Sequence, residues 1–431
     1  MDSRLSVDVE KYIKSAIFTS QHWKLPDNRG SATDSKAGTI KKAAVIGGGT
    51  MGRGIAISCV RAGFETILIE NDEKALTLAS KELEITYARE TKLGRMSEKD
   101  VERLRKMRKS IDLNDLSDVD LVIEAIFENM KLKKELLKKL DKICKSSCCF
   151  ASNTSSLDFD ELSSPLSDRS RLVGMHFFNP PHVIKVIEIV YGSYTSKEAV
   201  ATAFNATNAM QKIGILVANC PSFMFNRLLG VYLHQAMKLV YQHGIYPKDI
   251  DRIMMSFGLL MGPMTMHDMN GIDVSARIKS EHGMPLSSIE EELLKRKRFG
   301  RKTGKGYYKY DKNGLKTDDP EVKEIIDRLS IGQNKQQRFF SELDIVNFLL
   351  YPMVNEGFLC LEDGIIERVE HIDLMFHYGF GWPSRHGGPM RWGEKFEGLT
   401  KIRETMRNWH AAEPDEFTYR LCEKFEHQSK I

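Results

Sequence analysis

Residues 42–63 read KAAVIGGGTMGRGIAISCVRAG, and this stretch decides the fold. Ala43-Ala44-Val45-Ile46 is a short β-run. Gly47-Gly48-Gly49-Thr50-Met51-Gly52 then fits G-x-G-x-x-G, and Ile55, Ala56, Ile57 and Val60 continue it as a helix. A second apolar strand, Thr66-Ile67-Leu68-Ile69, ends in Glu70, eighteen residues after the last glycine. Gly47 permits the tight turn, Gly49 lets the backbone approach a pyrophosphate, and Gly52 lets the helix pack closely on the strand. The helix N-terminus presents free N–H groups and its positive dipole end to phosphates. Standing between strand and helix, with an acid at this distance, the glycines read as a dinucleotide site. Glu70 also chooses the cofactor. A carboxylate there bonds the adenosine ribose hydroxyls and repels a 2′-phosphate, and the only close basic residue is Lys74, so NAD is expected over NADP.

Working outward, 431 residues suffice for two or three domains. From Lys41 to about Pro221, strands alternate with helices. Asp120–Ala125 (DLVIEA) is a buried strand, Met130–Lys145 an amphipathic basic helix and Cys148–Ser152 another strand. The pattern predicts an α/β, Rossmann-type doubly wound parallel sheet over 41–220. Before it, residues 1–40 hold one helix, around Val7–Phe18, and a polar linker, Asp27–Gly38. After Ser222 the pattern turns helical, with Phe223–Gln242 and Pro247–Phe257, and a polar turn segment runs from Asp311 to Asp319. The last hundred residues repeat that helical part at an offset of about 120. His243-Gly244-Ile245, Ile250-Asp251 and Gly262-Pro263-Met264 match Asp363-Gly364-Ile365, Ile372-Asp373 and Gly388-Pro389-Met390. Two related all-α domains, 221–330 and 331–431, are therefore expected.

A second informative stretch is Gly174–Val190, GMHFFNPPHVIKVIEIV. Leu172–Phe178 and Val186–Val190 read as two buried strands with Asn179-Pro180-Pro181 turning between them. Glu188 sits among Val and Ile, where a lone carboxylate costs several kcal/mol unless compensated. His176 is the obvious partner. A carboxylate that fixes an imidazole's tautomer and raises its basicity makes a general base. A purely structural buried pair has the same local signature.

Composition excludes several classes. Net charge is +4, too small to argue for nucleic acid, and the longest apolar runs are of strand length, so no membrane span is expected. Lys295-Arg296-Lys297-Arg298, continued by Arg301, Lys302 and Lys305, reads first as a solvated helix end and alternatively as a phosphate contact. Seven scattered cysteines show no metal-ligand spacing, which suits free thiols in a reducing compartment and no metal. The N-terminus is mixed polar and charged, so no secretory signal is expected. Ser429-Lys430-Ile431 is similar to the Ser-Lys-Leu peroxisomal address, so the peroxisome is expected, with the cytoplasm as the alternative.

Taken together, GGGTMGRGIAIS, VIEAIFENMKLKKELL, ASNTSSL, GMHFFNPPHVIKVIEIV, NCPSFMFNRLL, FGRKTGKGYYKY and YGFGWPSRHGGPM resemble the L-3-hydroxyacyl-CoA dehydrogenase family, and most closely the dehydrogenase half of its hydratase/dehydrogenase members. The resemblance runs from about Ile40 to the C-terminus. It implies NAD-dependent oxidation of a 3-hydroxyacyl-CoA in fatty acid β-oxidation. His176 is then the general base and Glu188 its orienting carboxylate. Ser155 and Asn226 hold the reacting oxygen and the histidine. Gly47, Gly49, Thr50, Met51, Gly52, Glu70, Glu128, Lys133, Asn179 and Lys302 match the family's NAD-contacting positions. Only forty residues precede the dinucleotide fold, and Tyr12–Trp23 resembles the helix that connects the two halves, so no hydratase activity is expected. A related hydroxy-acid or sugar-acid dehydrogenase and a catalytically silent NAD-binding scaffold are the competing readings. None of the four catalytic positions is lost, which argues against the scaffold. Stand-alone family members resemble dimers joined through helical domains. With two such units in one chain, a monomer containing an internal pseudo-dimer is expected.

Overall fold

The computed structural model describes residues 7–281, 283–331 and 340–423, so the terminal Ser429-Lys430-Ile431 lies outside the described residues. The chain divides into two compact units. One comprises Lys11–Phe223 with Ile365–Glu367, and the other is built on Met224–Gly364 and the residues from Arg368 onward.

The first unit is organised on an eight-stranded sheet: β1 (Lys42–Ile46), β2 (Glu65–Ile69), β3 (Arg108–Ser110), β4 (Leu121–Glu124), β5 (Cys149–Ser152), β6 (Leu172–Phe177), β7 (Val186–Tyr191) and β8 (Ile213–Ala218). Their order across the sheet is β8-β7-β6-β5-β4-β1-β2-β3. β4, β5 and β6 are buried along their whole length, as strands covered on both faces must be. The chain winds outward from β1 to β3 on one side and from β4 to β8 on the other. Ligands of open α/β sheets bind at such a reversal, here between the C-terminal ends of β1 and β4.

The sheet is the expected doubly wound one, and one pair within it departs from the parallel arrangement. β6 and β7 run antiparallel, with His176 opposite Glu188, whereas the other neighbours are parallel. The reason is the short link through Asn179-Pro180-Pro181. A parallel return needs a crossover of a dozen residues or more. The polar stretch 27–38 is also more than a linker. Gly30–Ser31 pairs with Lys24–Leu25, and Arg29 donates to the carbonyls of Gly192 and Ser193. Gly38 bonds Thr202 and Asn205 on the helix Lys197–Ala209, and Trp23 stacks on Phe204 of the same helix with centroids 5.6 Å apart.

In the second unit, the repeated landmarks do the same structural work twice. Asp251, on the helix Pro247–Phe257, accepts from the backbone N–H groups of Met264 (2.8 Å) and Thr265 (3.1 Å). Asp373, on the helix Val369–Met375, accepts from those of Met390 (2.7 Å) and Arg391 (2.9 Å). Each carboxylate thus caps the short helix that starts at Gly-Pro-Met, supplying an acceptor to otherwise orphaned donors. Each glycine is required there, because a Cβ on Gly262 or Gly388 would lie 2.2 Å from its aspartate.

The two halves of this unit pack on each other. Phe225 stacks on Phe376, and Phe257 meets Trp382, His386 and Trp392. Arg227 reaches Glu356 (2.6 Å) and Asp363 (3.0 Å). Lys238, with no exposed surface, lies between Glu413 (2.7 Å) and Glu416 (2.9 Å), with its ammonium over the Tyr419 ring. The basic run needs a further correction. Arg298 is not solvated but fully buried, bonding the Gly306 carbonyl, Asp319 and Glu321. A guanidinium can be buried only when its fork is filled in this way.

Candidate active site

The glycine loop leaves β1 and enters the helix Thr50–Arg61. Gly47 has φ +101°, and a Cβ there would lie 2.7 Å from the Ala125 carbonyl. A Cβ on Gly52 would lie 1.7 Å from the Gly47 carbonyl, so the helix presses directly on the turn. Around Gly49, by contrast, a Cβ would meet nothing within 4 Å. The loop is therefore packed on its protein side and open at the residue whose backbone would face a pyrophosphate, and Thr50 beside it is exposed. Glu70, at the end of β2, accepts from the N–H of Gly48 at 2.5 Å and of Asn71 at 3.1 Å. It lies against the glycine loop, where an adenosine ribose carboxylate belongs. These residues fit a dinucleotide. Asp72, by contrast, is occupied as the cap of the helix Glu73–Lys92.

His176 stands one residue from the C-terminal end of β6. The antiparallel register brings its Nδ1 to 2.7 Å from Glu188 Oε2. His176 is 8% exposed and Glu188 0%. A carboxylate can only accept, so Nδ1–H donates, and in the neutral imidazole the lone pair is then on Nε2. The rings of Phe178 and Phe223, 4.9 and 5.9 Å from the imidazole, wall the pair in apolar surface.

Ser155 follows β5 in a loop that converges on Glu128. One Glu128 oxygen, Oε1, accepts from Thr154 Oγ1 (2.6 Å) and the Ser155 N–H (2.8 Å), with the Ser155 hydroxyl and the Ser156 N–H and hydroxyl farther off at 3.2–3.3 Å. Its other oxygen, Oε2, is 3.4 Å from the Lys133 ammonium. Burial pushes the Glu128 carboxyl up, but Lys133, Thr154 and Ser155 outweigh it and hold the group below its ordinary value. Lys133 is itself 1% exposed and sits 2.6 Å from Glu124. Of the remaining positions, Asn179 is exposed on the β6–β7 link. Lys302 belongs to the second unit and pairs with Asp273 at 2.6 Å. Asn226 lies in the first turn of the helix Phe223–Tyr241.

Sequence reasoning missed Glu124 and Ser152. The available signal was Glu124 itself, an acid closing the otherwise apolar strand LVIE. Among the described residues, no cluster of three or more His, Cys, Asp or Glu could hold a metal ion, and no helix is long and apolar enough to cross a membrane. All seven cysteines are thiols, none joined in a disulfide.

A glycine-loop dinucleotide fold carrying a buried His–Glu pair defines an NAD-dependent dehydrogenase. Residues 42–220 match the NAD-binding domain of 3-hydroxyacyl-CoA dehydrogenase and residues 223–310 its C-terminal domain. The chain belongs to the 3-hydroxyacyl-CoA dehydrogenase family, and its cofactor is NAD. It is similar to the peroxisomal bifunctional enzymes of Danio rerio (37% identical over 431 residues) and Homo sapiens (34% over 425). Each match covers 94% of this chain and 58% of the relative, so the chain spans little more than half the length of these curated relatives. The crystal structure of the dehydrogenase part of multifunctional enzyme 1 from C. elegans is 46% identical, with a TM-score of 0.73, covering 97% of this chain and 96% of that one.

Proposed function

We propose that this chain oxidises (S)-3-hydroxyacyl-CoA to 3-oxoacyl-CoA in fatty acid β-oxidation, with His176 as the general base. The observation that carries the reading is the buried His176–Glu188 pair on the ligand-binding edge of the sheet, where β6 runs parallel to β5. Bound NAD supplies the hydride acceptor for C3. His176 Nε2 takes the proton of the 3-hydroxyl. Glu188 keeps the Nδ1 proton and supplies the counter-charge for the imidazolium that forms, an effect strengthened in a dry, low-dielectric site. Ser155 and Asn226 hold the reacting oxygen and the histidine. Gly47, Gly49, Thr50, Met51, Gly52 and Glu70 hold the pyrophosphate and adenosine end of the cofactor. Glu128, Lys133, Asn179 and Lys302 complete its contacts.

The reaction assigned to these residues is the oxidation alone; hydration of an enoyl-CoA is not assigned to them. The peroxisome is the proposed compartment, in keeping with relatives named as peroxisomal enzymes. The proposed assembly is a monomer, since one helical half already covers the other. The test is to incubate purified protein with NAD and (S)-3-hydroxyacyl-CoAs of several chain lengths and follow NADH. NADH should form with at least one of them, and none with any would overturn the reading.

A further inference from the structure

The ion chain beneath the Ser155 loop is longer than cofactor contact requires. Glu124 closes β4 with only 1% of its surface exposed. Its Oε2 accepts from Ser152 Oγ at 2.5 Å, while Oε1 accepts from the Ile126 N–H at 2.7 Å and from Lys133 Nζ at 2.6 Å. Lys133, on the helix Met130–Ile143, then spans to Glu128, whose other oxygen gathers Thr154, Ser155 and Ser156. Ser152 and Ser155 thus stand at the two ends of one chain of charge-assisted contacts.

The distances set the hierarchy. Lys133 is held chiefly by Glu124, at 2.6 Å, and only secondarily by Glu128, at 3.4 Å. A buried ammonium does not go without a full counter-charge. Without the charge on Glu124, Lys133 must draw Glu128 towards itself and away from the serine loop. The loop's two short contacts are made to Oε1, while the ammonium is still 3.4 Å from Oε2, so closing that gap shifts the carboxylate and strains its bonds to the loop. Ser152 fixes the orientation of Glu124 and so belongs to the same device.

We propose that Ser152, Glu124 and Lys133 form a buried relay that positions the Ser155 hydroxyl through Glu128. Glu124 and Ser152 are positioning residues that act through others. The inference rests on the reading that Ser155 holds the reacting oxygen, and the experiment separates the two.

kcat and KM are measured for Glu124→Gln, Ser155→Ala and the double variant at saturating NAD. Glu124→Gln lowers kcat by about 10–100-fold, the usual cost of losing an orienting partner. In the Ser155→Ala background the same change alters kcat by no more than about 2-fold, since the group it positions is gone. Additive losses, as general weakening of the fold would give, overturn the relay while leaving Ser155 in place. Near-normal kcat for Ser155→Ala alone overturns the role of Ser155, and the relay with it. If Glu124→Gln does not fold, Ser152→Ala, which removes the short bond to Glu124 and a longer one from the Thr154 N–H but no charge, takes its place in the cycle under the same criteria.

Discussion

Replacing Glu416 with glutamine should loosen the contact between the two helical halves, and the structure sets the size of the effect. Lys238 has no exposed surface, and its partners are Glu413, whose side chain is 37% exposed, and Glu416, at 12%. Glu416 is therefore the better desolvated counter-ion, and it also meets His234 at 3.2 Å. Removing one partner of a buried ion pair costs about 3–5 kcal/mol. Glu413 remains 2.7 Å from the ammonium and compensates part of the loss, so the cost falls at or just below the bottom of that range, about 2–3 kcal/mol. For a unit of roughly 200 residues that is a fall of roughly 4–12 °C in Tm. The pH dependence gives a second handle. Burial pushes the Glu416 carboxyl up, but His234 and Lys238 outweigh it and hold the group far below its ordinary value. A depressed carboxyl contributes stability that is complete above the unfolded value, near 4.3, and is lost as pH falls through the folded one. The gap in Tm between wild type and Glu416→Gln, measured by calorimetry from pH 7 down to pH 3, should be widest at neutral pH and shrink below about pH 4.5. Equal Tm values at pH 7, or a gap that widens on acidification, would refute the reasoning.

Glu70→Ala should weaken NAD binding and narrow the preference over NADP, read as the ratio of kcat/KM for the two cofactors; a wild-type protein that uses both equally contradicts the role of Glu70. Light scattering across a dilution series should give a monomer for the full chain, and removal of the residues after Ser341 should cause dimerisation or aggregation, because the Phe225, Arg227 and Lys238 contacts lose their partners. A stable full-length dimer, or an unaltered soluble monomer after the deletion, would end the pseudo-dimer idea.

What was legible in the sequence was what local chemistry dictates. The loop from Gly47 to Gly52 was readable because a strand, a turn that only glycine tolerates and a helix start follow one another within a few residues. The helical repeat was readable because its landmarks are cap chemistry: Asp251 and Asp373 each need a Gly-Pro-Met helix start a short way further along the chain. His176 and Glu188 were readable as partners because a short link places them on adjacent antiparallel strands. The two strands and the turn between them were legible without their relative direction, which the structure supplies as antiparallel. Contacts made across elements left no such trace. Glu124 meets Lys133 from strand to helix, and Lys238 finds Glu413 and Glu416 some 175 residues away. Arg298 looked like one more solvated cation because its anchors, Asp319 and Glu321, follow an intervening hairpin.

The central claim is that His176 Nε2 receives the hydroxyl proton while Glu188 holds Nδ1. It is tested most directly by single-turnover NADH formation in His176→Gln, with NADH affinity measured in parallel by fluorescence. The account predicts near-normal NADH binding and a fall in the chemical rate on the order of 10²–10⁴-fold. A variant that binds NADH and still oxidises the hydroxyacyl-CoA at close to the wild-type rate would contradict it.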